Sequence, residues 1–220
     1  MRYNRLYKDN NFLTPTTYTQ TLSEYTETLR YEDIPADVVE RAKMIMLQTV
    51  GAALAAKGTP IAEKVCRMSE EANGGEGGAT SVWGTGKKMA AVNAALALGT
   101  MSDALDWEDC SWTGHPAAGV IPCAWLAAEE KHKSGKDLIT AIVAGYEVYQ
   151  RIAMAVQPDD EIWKTKGWGL TSWQIFGAII PAAKLYGFDA RKVNQAIGVG
   201  CESSTIPTAY HEVTMSDFYH

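Results

Sequence analysis

The stretch PADVVERAKMIMLQTVGAALAAK, residues 35–57, decides the fold class of this chain. Its apolar residues recur three and four positions apart, which is the period of a helix with one buried face. Pro35 suits the first turn of such a helix, where its missing N–H is not needed, and Gly58 suits its end. The stretch therefore predicts a long amphipathic helix between these two residues.

Similar spacing recurs through most of the chain. Leu138–Ala153 repeats the pattern, and Ser134 and Asp137 before it have the spacing of a capping box. Asp189 is a suitable N-cap for the last helix. Thr80–Trp83 resembles a strand but is too short to build a sheet, and Gly74–Gly78 predicts a flexible loop. The predicted fold class is all-α, with further helices at Pro15–Leu29, Ile61–Ala72, Ala90–Leu105, Pro116–His132, Leu170–Tyr186 and Ala190–Gly200.

Composition narrows the class of function. The 220 residues carry a formal net charge of −6, which argues against a nucleic-acid partner. The sequence shows neither an apolar stretch typical of a membrane span nor an export signal. The four cysteines form no CxxC pair, which favours reduced thiols over a disulfide framework or a zinc site. These features predict a cytoplasmic globular protein. The glycine-rich turns match neither a P-loop nor GxGxxG, so a nucleotide is not expected.

The segment SDALDWEDCSWTGHPAAGVIP, residues 102–122, concentrates groups that can move protons. Asp106, Glu108, Asp109 and Cys110 precede His115, which stands directly before Pro116 at a predicted helix start. The positive end of a helix dipole favours a neutral imidazole and a bound anion, so His115 suits proton removal while free backbone N–H groups bind a carboxylate. The alternative is that His115 caps the helix and the acids form a solvated loop.

Two further groups of residues could bind a metal ion or a substrate. Asp106, Asp109, Cys110 and His115 offer mixed metal ligands, but no second cluster stands at a usual zinc spacing, and we predict no metal. Lys166 and Gly167 precede a helix predicted to begin near Leu170, where a cation and a helix N-terminus would suit a polycarboxylate. A solvent-facing lysine with a glycine turn is the simpler alternative.

Taken together, these segments resemble the MmgE/PrpD family from about Leu29 to Gly200. The matching stretches are LRYEDIPADVVERAK, VGAALAAKGTP, ATSVWGTGKKMAAVNAALALGTMSDALDWED, HPAAGVIPCAWLAAEE, SGKDLITAIVAGYEVYQRI and GAIIPAAKLYGFDARKVNQAIGVG. The resemblance implies that residues 1–220 form one helical domain, the N-terminal part of a longer, usually dimeric protein. A second, α/β domain would then be absent from this chain. Gln48 departs from the family, which commonly has an aspartate there.

The resemblance also implies a function. Family members act on di- and tricarboxylates without an iron–sulfur cluster, so no cofactor is expected. Asp106 and His115 match residues implicated in proton transfer, and we expect Asp109, Cys110, Lys166 and Gly167 to contact substrate. The expected activity is a lyase that dehydrates 2-methylcitrate or a related hydroxy-tricarboxylate. A decarboxylase or epimerase on a related acid, or a non-catalytic scaffold or half-enzyme that needs a partner chain, are the alternatives. A homodimer is expected.

Overall fold

The chain folds almost entirely into helices, as its computed structural model describes for residues 17–75, 77–111, 114–156 and 172–204. A short 3-10 helix, Tyr31–Asp33, follows the first α-helix. A two-stranded antiparallel sheet pairs β1, Thr80–Ser81, with β2, Lys88–Met89. The prediction of an all-α class is confirmed. The α-helices are α1 Tyr18–Thr28, α2 Ala36–Ala56, α3 Pro60–Ala72, α4 Ala91–Asp103, α5 Ala117–Glu130, α6 Gly135–Val156, α7 Gln174–Leu185 and α8 Ala190–Ser203.

Helix ends that the sequence marks with a capping side chain are confirmed. The Asp137 N–H donates to Ser134 Oγ at 3.2 Å, and the Ser134 N–H donates to Asp137 Oδ2 at 2.9 Å, which completes the capping box. Asp189 accepts the Lys192 N–H at 2.8 Å at the start of α8. Pro35 immediately precedes α2, and Gly58 follows it with a φ of +94°. That conformation favours glycine and ends the helix.

Two predicted elements differ from the structure. The helix predicted from Leu170 begins at Gln174, because Ser172 and Trp173 form a turn before it; residues 170 and 171 lie outside the described residues. The strand predicted at Thr80–Trp83 covers only Thr80–Ser81, and the prediction that it is too short to build a sheet is wrong, because it pairs with β2. Within the loop predicted at Gly74–Gly78, residue 76 lies outside the described residues, and Asn73 Nδ2 donates to the carbonyls of Gly75 and Gly77 at 2.9 and 2.7 Å.

Helices α5, α6 and α7 pack together closely in the core. Gly145 of α6 makes the approach possible, because a Cβ there would lie 3.1 Å from both Pro181 Cδ and Val120 Cγ1. Gly177 of α7 plays the same part, since its Cβ would lie 3.2 Å from Tyr149 Cδ2. Small residues at helix crossings let the backbones approach, and the surrounding interior is closely packed.

The core fixes both ends of one long loop. Leu98 and Met101 of α4 and Val120 and Ile121 of α5 are fully buried in the same cluster. Residues 104–116 therefore join two rigid helices, which is where binding and reacting groups are often placed. Within the described ranges, no helix combines the length and apolar character that crossing a membrane requires.

Candidate functional site

The loop between α4 and α5 is held by contacts with the rest of the fold. Gln48 of α2 donates from Nε2 to the Trp107 carbonyl at 2.8 Å. The Ser111 N–H donates to the Gly114 carbonyl at 2.8 Å. Gln48, which departs from the family pattern, therefore has a structural contact here: it ties the acidic loop to the second helix.

His115 lies where the sequence predicts it, just before α5. Gln174 Nε2, from the first turn of α7, donates to the His115 carbonyl at 2.8 Å and so fixes its backbone. The imidazole keeps 28 % of its surface exposed, while its Nδ1 atom is buried. Nδ1 lies 3.1 Å from Glu108 Oε1 and 3.9 Å from Asp106 Oδ1. The ring is thus partly open to solvent on one side and faces carboxylates on the other.

Glu108 is the acid nearest to the imidazole, although the sequence pattern does not single it out. Its side chain is 1 % exposed, and neither carboxyl oxygen has a hydrogen-bond partner among the described residues. Burial, helped by the neighbouring carboxyls of Asp103 and Asp106, raises the pKa of Glu108 to about 8. A carboxyl group in this setting holds its proton near neutral pH.

Asp109 is engaged within the protein. Its Oδ1 accepts the Ala117 N–H at 2.9 Å, and its Oδ2 accepts the Tyr146 hydroxyl at 2.9 Å. Burial raises the pKa of Asp109, while these two hydrogen bonds oppose the rise. One of the helix N-terminal N–H groups that the sequence leaves for a substrate carboxylate is therefore already occupied. Burial, with Asp109 close by, also raises the pKa of Tyr146.

Asp106 and Cys110 face outward. The Asp106 side chain is 76 % exposed, and its φ of +53° is a left-handed conformation that aspartate tolerates better than most residues. Cys110 is exposed, with Sγ 3.8 Å from the Ser111 carbonyl oxygen. Both side chains are accessible to a small molecule that approaches the exposed side of the loop. Lys166 and Gly167, the other residues predicted to contact substrate, lie outside the described residues.

Three of these groups also form a possible ligand set. One donor atom from each of Asp106, Glu108 and His115 lies within 4.8 Å of the other two. The ligand set considered from the sequence contained Asp109 and Cys110 instead of Glu108. In the structure Asp109 is occupied by its two donors and Cys110 points to solvent, so those two are not part of the cluster.

The inward position of Glu108 leaves no trace in the sequence. Glu108 stands among three acids of an irregular loop, where side-chain direction has no period to follow. Gln48 and Tyr146, which support the loop from α2 and α6, are 59 and 37 residues from their partners.

The fold and the loop together define a class: a helical protein that presents a histidine and several carboxyl groups from the connection between two core helices. The chain belongs to the MmgE/PrpD family, since the family model for the MmgE/PrpD N-terminal domain matches residues 20–218. The resemblance drawn from the sequence motifs is thereby confirmed.

Curated relatives give a narrower comparison. The chain is similar to the cis-aconitate decarboxylase-like protein oryM of Aspergillus oryzae, with 28 % identity over 195 residues that cover 83 % of this chain and 39 % of the relative. It is also similar to the cis-aconitate decarboxylase of Aspergillus terreus, with 29 % identity over 195 residues that cover 83 % of this chain and 38 % of that protein. The chain thus spans about two fifths of the length of the curated relatives that it matches.

Proposed function

We propose that this chain is the helical part of a carboxylate-acting lyase that works by acid–base chemistry, without a cofactor. The observation that carries the proposal is the position of His115, which is partly exposed, lies 3.1 Å from the buried Glu108 carboxyl, and stands just before the N-terminus of α5. Membership of the MmgE/PrpD family supports the type of reaction. The substrate class is a small di- or tricarboxylate.

In the proposed reaction His115 takes the proton from a carbon next to a substrate carboxylate. The electron pair of the C–H bond stays on the substrate as an enediolate-like charge, which the positive end of α5 stabilises. Asp106, exposed and close to the ring, orients His115 or protonates the leaving hydroxyl. The hydroxyl departs as water and an alkene forms. Lys166 and Gly167 are proposed to bind a second carboxylate, with Cys110 at the mouth of the loop. Asp109 acts by supporting Ala117 and Tyr146.

Two substrates fit this chemistry. Dehydration of 2-methylcitrate, or of a related hydroxy-tricarboxylate, follows directly from proton removal and departure of the protonated hydroxyl as water. Decarboxylation is the second candidate, because the relatives are cis-aconitate decarboxylases. In that reaction CO2 leaves, and the electron pair of the broken C–C bond stays on the substrate. The protonated form of His115 then donates a proton to that carbanion. Both reactions need the same proton-carrying group.

A panel assay tests the proposal. The protein is incubated separately with 2-methylcitrate and with cis-aconitate, and alkene absorbance and CO2 release are followed. We expect turnover of at least one acid, and a loss of about 100-fold or more in His115→Asn, since general acid–base groups usually contribute 10²–10⁴-fold. His132→Asn is the matched control, because His132 is exposed at the end of α5 and lies outside the site.

The result of this assay distinguishes an enzyme from a non-catalytic helical scaffold. Unchanged turnover in His115→Asn would contradict the role given to the ring. A folded protein that turns over none of the acids, even when mixed with a separately produced α/β partner, would favour a helical scaffold.

A further inference from the structure

Glu108 is a buried acid beside His115 that the proposed reaction does not yet use. Its side chain is 1 % exposed, and its Oε1 lies 3.1 Å from His115 Nδ1. The two atoms are close without being aligned as a hydrogen bond, since both lack a hydrogen-bond partner among the described residues. Catalytic hydrogen bonds are often long or poorly aligned until a substrate binds. The short distance between these two buried atoms therefore indicates that Glu108 and His115 interact when a substrate is bound.

The surroundings of Glu108 are acidic. The carboxyls of Asp103, at the end of α4, and Asp106, in the loop, act on Glu108. Asp109, which accepts the Tyr146 hydroxyl of α6, interacts electrostatically with His115. His115 is the group at ion-pair distance from the Glu108 carboxyl. A buried carboxyl among other carboxyls gains from a hydrogen-bond donor, and the His115 ring is placed to supply one.

We propose that Glu108 is a positioning residue that keeps the proton of neutral His115 on Nδ1, so that Nε2 is the atom that exchanges protons with the substrate. This assignment rests on the proposed function for its catalytic meaning. A neutral imidazole carries one N–H, and the acceptor next to a given nitrogen decides where that hydrogen resides. A protonated Glu108 carboxyl still offers an acceptor oxygen to Nδ1–H.

The two ring nitrogens of His115 lie in different environments and therefore have different roles in the proposal. Nδ1 is buried against Glu108, and the exposed 28 % of the side chain lies on the rest of the ring. When Nε2 takes a proton from a substrate carbon, the C–H electron pair remains on that carbon and the ring becomes an imidazolium. The positive charge then arises within 3.1 Å of the Glu108 oxygen, which stabilises it.

Ring-nitrogen NMR tests the assignment without any substrate. In protein labelled with ¹⁵N-histidine, four histidines give signals, and the one lost in His115→Asn belongs to His115. We expect neutral His115 to be protonated at Nδ1 in the wild type. In Glu108→Leu, which removes the acceptor, the Nε2–H form should become substantial. Glu108→Gln keeps an acceptor oxygen and should keep Nδ1–H, as should the control Glu71→Gln at an exposed site on α3.

A kinetic arm tests the catalytic meaning of the pair. In the full chain with a substrate that it turns over, we expect Glu108→Leu, which removes the acceptor for Nδ1–H, to lower kcat by about 10- to 100-fold and to change KM less than about threefold. Glu108→Gln keeps an acceptor oxygen and should retain most of the wild-type kcat. Glu71→Gln should leave both constants unchanged.

Each result has one meaning. A wild-type ring protonated at Nε2, or a Glu108→Leu spectrum identical to wild type, would overturn the assignment; so would a His115 spectrum altered by a chelator, which would indicate a metal in place of the proton. If the spectra behave as expected while no carboxylate reacts, the proposed function fails and the pairing of Glu108 with Nδ1 stands.

Discussion

Asp106 and Glu108 stand two residues apart and occupy opposite environments. The Asp106 side chain is 76 % exposed, whereas that of Glu108 is 1 % exposed. Burial favours the neutral form of Glu108. The same kind of group can therefore serve one purpose facing substrate and another behind His115. Pairs of carboxyl groups held in such different environments are typical of acid–base sites.

The buried acid makes stability depend on pH. Because the pKa of Glu108 rises to about 8 in the folded state and is lower in the unfolded chain, the folded state holds the extra proton between these values. This contribution is fully present below the unfolded pKa and is lost as pH rises towards 8. We expect the melting temperature of wild type to fall, relative to Glu108→Gln, between pH 5 and pH 8.5. The relative fall should be at least about 2–4 °C, equivalent to about 1 kcal/mol.

Thermal unfolding of both proteins across that pH range is the measurement. Glu71→Gln serves as the control, since Glu71 is exposed and should follow wild type. Parallel curves for wild type and Glu108→Gln would show that the carboxyl ionises in both states alike, and would contradict its buried, neutral description.

At this scale the sequence predicts some side chains and not others. His115 is predictable because the following proline marks a helix start, and the structure places it there. The inward turn of Glu108 is not, because it depends on the left-handed backbone at Asp106 and on the contact that Gln48 makes with Trp107. Asp109 looks like a free acid in the sequence, and its donors, Ala117 and Tyr146, become neighbours only through packing.

Among the helices, the packing of α5, α6 and α7 against one another determines how accurately the loop that carries His115 is positioned. Gln174 at the start of α7 bonds the His115 carbonyl, and Tyr146 of α6 bonds Asp109. A shift of either helix would therefore move the loop. Gly145 and Gly177 hold these helices close, so their replacement should act on the site as well as on stability.

Gly145→Ala tests the close crossing. Its added methyl group would lie 3.1 Å from Pro181 Cδ and Val120 Cγ1, and the proline ring cannot rotate away. We expect a loss of about 1–3 kcal/mol in the free energy of unfolding, partly offset by the better helix propensity of alanine.

The matched control is Gly51→Ala in the middle of α2, where nothing lies within 4 Å of the added Cβ. This variant should gain about 0.5–1 kcal/mol. Urea unfolding measures both variants. A Gly145→Ala protein as stable as Gly51→Ala would show that the helices are not in close contact there.

Helix ends were predictable to different degrees for a physical reason. Ser134, Asp137 and Asp189 cap their helices through side chains that lie close in sequence, so the signal is local. The start of α7 has no such cap: Trp173 precedes it, fully buried and without a capping side-chain bond. Tertiary packing of the indole, which sequence spacing does not encode, decides where that helix begins.

At the scale of the whole molecule, several large apolar side chains of the described residues are exposed. Met44 and Leu47 of α2 are 61 % and 74 % exposed, and Trp107 in the site loop is 62 % exposed. Exposed apolar patches of this kind often mark interaction surfaces. The homodimer expected from the family resemblance is a proposal that this surface favours.

Leu47→Lys tests that proposal. A charge in the apolar surface should shift the protein from dimer to monomer, whereas Leu47→Met, which keeps the apolar character, should leave it dimeric. Sedimentation equilibrium at several concentrations distinguishes the two states. A wild-type protein that stays monomeric throughout, or a Leu47→Lys protein that dimerises equally well, would contradict the proposal.

Proton transfer at carbon by His115 is the central claim, and deuterium incorporation measures it most directly. The protein is incubated in D2O with 2-methylcitrate and with cis-aconitate, and the recovered acids and products are analysed by mass spectrometry and NMR. With wild type and with His132→Asn, we predict one carbon-bound deuterium next to a carboxylate, either in the product formed when cis-aconitate loses CO2 or in recovered 2-methylcitrate, where His115 returns a deuteron to the carbon that it deprotonated. It should be reduced by about 100-fold or more with His115→Asn. Deuterium incorporation by His115→Asn at the wild-type rate would contradict the account.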